Sequence, residues 1–188
     1  MNFHKSLIEI ARRSSWCMSA LSAVREMRLE SWCIGAGAIR NLVWDSLHGY
    51  EIPTYLPDVD VAYFDASDLS STRDAEIQRR LAARCPGIPW EVTNQAAVHL
   101  WFENVFGYSV PSLTSLVDAI ASWPEYATAV GLTLLDDGTM DIYAPYGLDD
   151  LFSMVVRRNP TRVSIDTYRR RLEQKRYLDR WPRVTVVE

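Results

Sequence analysis

The sequence has little that would carry it into or across a membrane. In a chain of 188 residues, no window approaches the roughly 18 uninterrupted apolar residues that a membrane span needs. The opening segment MNFHKSLIEIARRSSW carries charges where a signal peptide would hold its apolar centre, so a cytoplasmic location without a membrane partner is expected. Cysteine is also scarce. Cys17, Cys33 and Cys85 are odd in number and widely spaced, which argues against a disulfide framework and against a zinc site; they read as reduced, buried and structural. Of the three histidines, His99 in AVHLWF is flanked by apolar residues and reads as a hydrogen-bonded core residue, while His4 and His48 are weaker candidates for chemistry. There are no internal repeats and no low-complexity linker, which leaves one compact unit over residues 1–188.

What is present suffices for an ordinary core, with 48% apolar and 23% charged residues. The net charge of −4 is unevenly spread, since ten basic residues face only Asp166, Glu173 and Asp179 between Arg157 and Arg183. An acidic body therefore carries a basic tail. That tail is either a solvated helix face or a set of cations able to hold polyphosphate. The overall acidity makes a long nucleic acid a poor partner, while the tail keeps a short RNA open.

Apolar spacing predicts an amphipathic helix over the first two dozen residues, followed by a short β-prone run, SWCI. After the glycines, Ile39, Leu42, Val43 and Leu47 fall three and four apart up to Gly49, the pattern of strand, tight turn and capped helix. VDVAYF alternates as a strand, SSTRDAEIQRRLAARCPG reads as a capped helix and PWEVTNQ as another strand. Residues 94–106 fit either a strand or a helix. SLTSLVDAIASWP reads as a helix, AVGLTLLDDGTMDIYA as a hairpin and GLDDLFSMVV as a helix opened by Asp149 and Asp150. A last helix is expected from Ser164 to Trp181, with Ile165, Tyr168 and Leu172 packing and Arg169, Arg170, Lys175 and Arg176 left for solvent or phosphate. The class is α+β, a small mixed sheet flanked by helices.

The chemistry is concentrated in LPDVDVAYFD. Residues two apart on a strand share a face, so Asp58 and Asp60 stand side by side, and like charges that close favour a cation between them. Hard oxygen ligands suit Mg²⁺, which takes one or two carboxylates with waters and substrate phosphates. Two such ions can serve the attacking and leaving oxygens of phosphoryl transfer. Upstream, the break at Gly35-Ala36-Gly37 opens a helix whose N-terminus can receive phosphate. Downstream, Glu91 supplies a third acid. Arg40, one turn into the helix, reaches either a phosphate or Asp60 or Asp65, and Asp65 itself reads as structural or as an orienting residue.

These residues carry a resemblance. Gly35-Ala36-Gly37, the helix after them, Asp58-Val59-Asp60 and Glu91 resemble the DNA polymerase beta-like nucleotidyltransferase superfamily over about Trp32 to Gln95. GAGAIRNLVWDSLHG is similar to the head motif of tRNA nucleotidyltransferases, with Arg40 and Asn41 where those enzymes carry Arg-Asp. With DVDVAYFD, WEVTNQ, WPEYATAVG and APYGLDDLF, most of the chain resembles a family of uncharacterised bacterial nucleotidyltransferase-like proteins. The resemblance implies a nucleotidyltransferase fold with a core at about residues 31–100 and a family-specific part at 101–188 packed on it. It implies that Gly35, Ala36, Gly37, Arg40 and Asn41 bind the nucleotide. Asp58 and Asp60 would bind two Mg²⁺ ions, which Mn²⁺ could replace, and Glu91 would help bind the catalytic ion and act as base. The implied reaction moves a nucleoside monophosphate from an NTP such as ATP to an acceptor hydroxyl, and the overall acidity favours a small molecule or protein as that acceptor. Ala36 departs from the usual Gly-Gly or Gly-Ser pair, which keeps open an inactive nucleotide-binding regulatory or interaction protein, and a metal-dependent phosphohydrolase is a third reading.

Overall fold

A computed structural model describes residues 2–187. Two helices open the chain, α1 (Phe3–Arg13) and α2 (Ser15–Arg25). The expected single helix is broken at Ser14, whose backbone is extended (φ −90°, ψ 111°) and whose hydroxyl accepts from the Cys17 amide at 3.4 Å. A serine thus ends one helix and caps the next.

The sheet begins with β1 (Trp32–Gly35), followed by α3 (Ala36–His48), which ends at Gly49 in the left-handed region (φ 70°). Then come β2 (Val59–Tyr63), α4 (Ser71–Arg84) and β3 (Trp90–Asn94). Residues 94–106 resolve as a 3-10 turn and the helix α5 (Val98–Phe106). The short α6 (Leu116–Ala121) leads into the hairpin β4 (Gly131–Leu134) and β5 (Met140–Tyr143). The five strands lie in the order β3-β2-β1-β4-β5, with β2 and β3 parallel and the other pairs antiparallel. Residues beyond 100 therefore complete the sheet as well as covering it.

Alternation along the strands divides the two faces. Trp32, Ile34, Val59, Val61, Tyr63, Trp90 and Val92 enter the larger core with α1 to α4. Cys33 and Ala62 turn to the other face, where Leu116 and Ile120 of α6 cover them. Asp60 and Glu91 share that second, thinly covered face.

The C-terminal part corrects two expectations. The helix at GLDDLFSMVV is only α7 (Asp149–Phe152), because Met154 turns left-handed (φ 55°) and Val155–Arg157 form strand β6. The last helix is likewise interrupted: α8 (Ile165–Lys175) ends at Arg176 (φ 47°), α9 (Tyr177–Arg180) restarts, and β7 (Thr185–Val187) pairs in parallel with β6. Among the described residues, no helix is long and apolar enough to cross a membrane. All three cysteines are free; Cys17 and Cys33 are buried, but Cys85 is partly exposed, contrary to expectation. His99 also differs, because its Nδ1 is buried without a hydrogen-bond partner.

Candidate active site

Parallel register sets Asp60 of β2 directly beside Glu91 of β3. Asp58 lies just ahead of β2, and all three acids line one cavity of about 260 Å³. Burial, with Asp58 and Glu91 as like-charged neighbours, pushes the Asp60 carboxyl up from 3.8 to about 7, although Lys175 and Arg171 pull the other way. Glu91 is exposed.

The opposite wall is cationic and is built from α3 and α8, as Arg40, Arg171 and Lys175 line the same cavity. Arg40 is nevertheless buried (4% exposed). Its guanidinium lies 5.0 to 5.5 Å from the ring centroids of Trp44, Tyr177 and Trp181, within the range of cation–π attraction. Its Nε and Nη2 donate to Asn41 Oδ1 at 3.1 and 2.8 Å, and Nη1 donates to the Tyr177 hydroxyl at 3.3 Å. Behind it stands Glu125, 1% exposed, accepting from Arg171 Nε at 2.9 Å, Thr128 Oγ1 at 2.9 Å and Tyr177 at 3.2 Å. Burial alone would raise the Glu125 carboxyl, but Arg171 and Arg40 hold it below its usual value. Lys175 is lowered by burial and by its cationic neighbours Arg171 and Arg40. Arg171 is thus anchored from behind by an acid and Arg40 by Asn41 and Tyr177, while three further acids line the same cavity.

The glycine turn forms the cavity's third side. Gly35 is the N-cap of α3, and no side chain caps that end. The Ala36 amide donates to the Val130 carbonyl at 3.1 Å; the following amides belong to a helix start, where intrahelical acceptors are lacking. Ala36 and Gly37 line the cavity. Ala36 has a φ of 51°, a left-handed conformation that costs a residue with a Cβ roughly 1 kcal/mol or more. Gly35 serves packing instead: a Cβ there would lie 2.6 Å from the Trp123 ring and 3.0 Å from the Val130 oxygen.

A family profile described as Nucleotidyltransferase matches residues 22–186. The chain belongs to this nucleotidyltransferase family. A solved structure titled "The NMR structure of the protein reveals a CCA-adding enzyme head domain" is similar at a TM-score of 0.81 and 28% identity, over 98% of this chain and 95% of that one. The fold also matches two structures described as a tRNA-processing enzyme (apo form 2) and a tRNA-processing enzyme complex. The first gives a TM-score of 0.51 at 21% identity and covers 90% of this chain and 45% of that one. The second gives 0.54 at 17% and covers 90% and 43%. The nucleotidyltransferase chain spans under half the length of those enzymes. No curated protein matches it.

In this member of the nucleotidyltransferase family, the structure brings together Asp58, Asp60, Glu91, Ala36, Gly37 and Arg40 around one cavity. It does not bring Gly35 or Asn41 to the cavity wall: Gly35 packs on Trp123, and Asn41, 2% exposed, holds Arg40 and donates to Thr54 Oγ1 at 3.1 Å. Arg40 pairs with neither Asp60 nor Asp65; Arg73 takes Asp65 at 3.1 Å. Among the described residues, no three His, Cys, Asp or Glu side chains are drawn together as a ready-made metal cluster. An all-carboxylate oxygen set still fits Mg²⁺, which fills its shell with water and substrate phosphate, and the like-charge strain on Asp60 is what a cation would relieve. Arg171, Trp123 and Glu125 were missed by sequence reasoning. Arg171 and Lys175 stand four apart, one helical face, the only local signal.

Proposed function

We propose that this chain transfers a nucleoside monophosphate from an NTP to an acceptor hydroxyl, releasing pyrophosphate, in a Mg²⁺-dependent reaction. The observation that carries this reading is a cavity with acids on one wall, cations on the other and an uncapped helix start between them. The α3 N-terminus, Lys175 and Arg171 hold the polyphosphate, a charge match for an NTP. Asp58 and Asp60, with Glu91, would hold two Mg²⁺ ions, which when bound neutralise phosphate charge and polarise the attacking and leaving oxygens.

The exposed Glu91 accepts the proton of the acceptor hydroxyl as its oxygen bonds to the α-phosphorus. The bond from that phosphorus to the bridging oxygen breaks, and pyrophosphate departs with the electron pair. Arg171 stabilises the charge gathering on the leaving group, and it needs no reorganisation because Glu125 already fixes it. The test is pyrophosphate release from each NTP with a panel of hydroxyl acceptors, with Mg²⁺ or Mn²⁺ present or chelated. The wild type should release pyrophosphate with the metal ion and the variant carrying Asp58→Ala and Asp60→Ala should not. No metal-dependent release above that of the variant, across the whole panel, would leave a nucleotide-binding protein without turnover, and phosphate release without labelled acceptor would mark a phosphohydrolase.

A further inference from the structure

The acid wall has two sides. Beyond the nucleotide cavity lies a second, larger groove of about 560 Å³, and Asp60, Glu91, Thr93, Gln95, Trp123 and Arg171 belong to both. Asp58, Arg40 and Lys175 line only the first, while Arg162 and Arg170 line only the second. Two chambers that meet at Asp60 and Glu91 suit a reaction joining two substrates.

The lining of the second groove is specific in character. α5 contributes Trp101, Phe102 and Phe106, with Trp101 and Phe106 40% and 43% exposed. Aromatic faces left this open suit a flat apolar body. The groove's own cations are Arg162 and Arg170. Arg162 lies 6.0 Å from the Phe102 ring centroid and donates through Nη2 to the Pro111 carbonyl at 2.6 Å, and its Nη1 is buried without a partner. An unmet guanidinium N–H is costly unless an anion answers it. The volume lies in the range of small-ligand sites. A long polyanion would instead need a run of cations tracking its backbone, whereas this groove opens onto Asp60 and Glu91.

We infer that this groove is the acceptor subsite and that the acceptor is a small organic anion: a planar apolar body stacked on Trp101 and Phe106, its anionic group on Arg162 and Arg170, its hydroxyl towards Glu91. The word acceptor rests on the transfer reading above; the binding chemistry does not. 1-Naphthyl phosphate, which has the ring and the anion but no hydroxyl to react, separates the two.

Calorimetric titration of the full chain should show saturable binding of 1-naphthyl phosphate that persists with saturating ATP and Mg²⁺. Arg170→Gln and Trp101→Ala should each weaken it about tenfold. Arg170 is exposed, which keeps the test valid if Arg162→Gln fails to fold. Asp58→Ala, which disables only the nucleotide cavity, should bind the probe as the wild type does, so a transfer-dead chain with an intact groove is recognisable. Displacement by ATP, or affinity unchanged by both groove substitutions, would overturn the assignment. So would displacement by a short single-stranded oligonucleotide with steep salt dependence.

Discussion

Replacing Asp60 by asparagine is expected to make the metal-free protein more stable at neutral pH while abolishing transfer. Burial, Asp58 and Glu91 raise this carboxyl from 3.8 to about 7. Between those values the unfolded chain releases its proton first, so the folded state loses stability as pH rises from about 4 to 7. A shift of about three units sets a ceiling of about 4 kcal/mol at about 1.36 kcal/mol per unit. Asp60 is only partly shielded from water, so a gain of about 1–3 kcal/mol is expected. Asn removes the charge and keeps the shape. The assay is urea unfolding of wild type and Asp60→Asn in chelator at pH 7.5 and pH 4. The variant should be more stable at pH 7.5, the two should converge at pH 4, and Mg²⁺ should stabilise only the wild type. A variant no more stable at pH 7.5, or one whose gain is the same at both pH values, would refute the argument.

Glu125→Gln should destabilise the fold by about 3 kcal/mol, because Arg171 loses its buried counter-charge, and should weaken NTP binding in a fluorescence titration. Since the Glu125 carboxyl lies below its usual value of 4.5, the stability it adds is present above that pH and is lost as pH falls below it, a step that acid titration should show shrinking in the variant. Gly35→Ala should cost about 1–3 kcal/mol in denaturant unfolding, as its Cβ would overpack against Trp123. Ala36→Gly, which removes a Cβ at a φ of 51°, should stabilise by about 0.5–1 kcal/mol and keep activity. Glu91→Gln should leave the melting temperature within a degree or two, since the residue is exposed, and lower the transfer rate at least about a hundredfold.

The paired aspartates were readable from the sequence because one local rule places them. Alternation put Asp58 and Asp60 on one face, and Glu91 stood out as a third acid on a strand candidate; the parallel register that sets it beside Asp60 is a tertiary fact no local pattern carries. The glycine break marked the start of α3. The cationic wall was only partly readable. Lys175 stood among the basic residues left for phosphate, but Arg171 reaches the cavity through an ion pair with Glu125, 46 residues away, and no periodicity signals such a contact. Left-handed turns at Met154 and Arg176 were invisible for another reason: glycine or asparagine announces that conformation, and these residues adopt it under tertiary constraint. Of the two settings open to Arg40, the pairing with Asp60 or Asp65 is absent, and Trp181 and Tyr177, which pack on it instead, lie at least 137 residues away along the chain.

That arrival has a temporal side. Trp181 Nε1 donates to the buried Asp45 carboxylate at 2.7 Å, and Tyr177 closes the box around Arg40. Strands and acids can assemble while the chain is still being synthesised, yet the cationic wall waits for residues 171–181 to leave the ribosome. A nascent chain would therefore present its carboxylates before Arg171 and Lys175, which share their cavity, and the cavity would close as one late event.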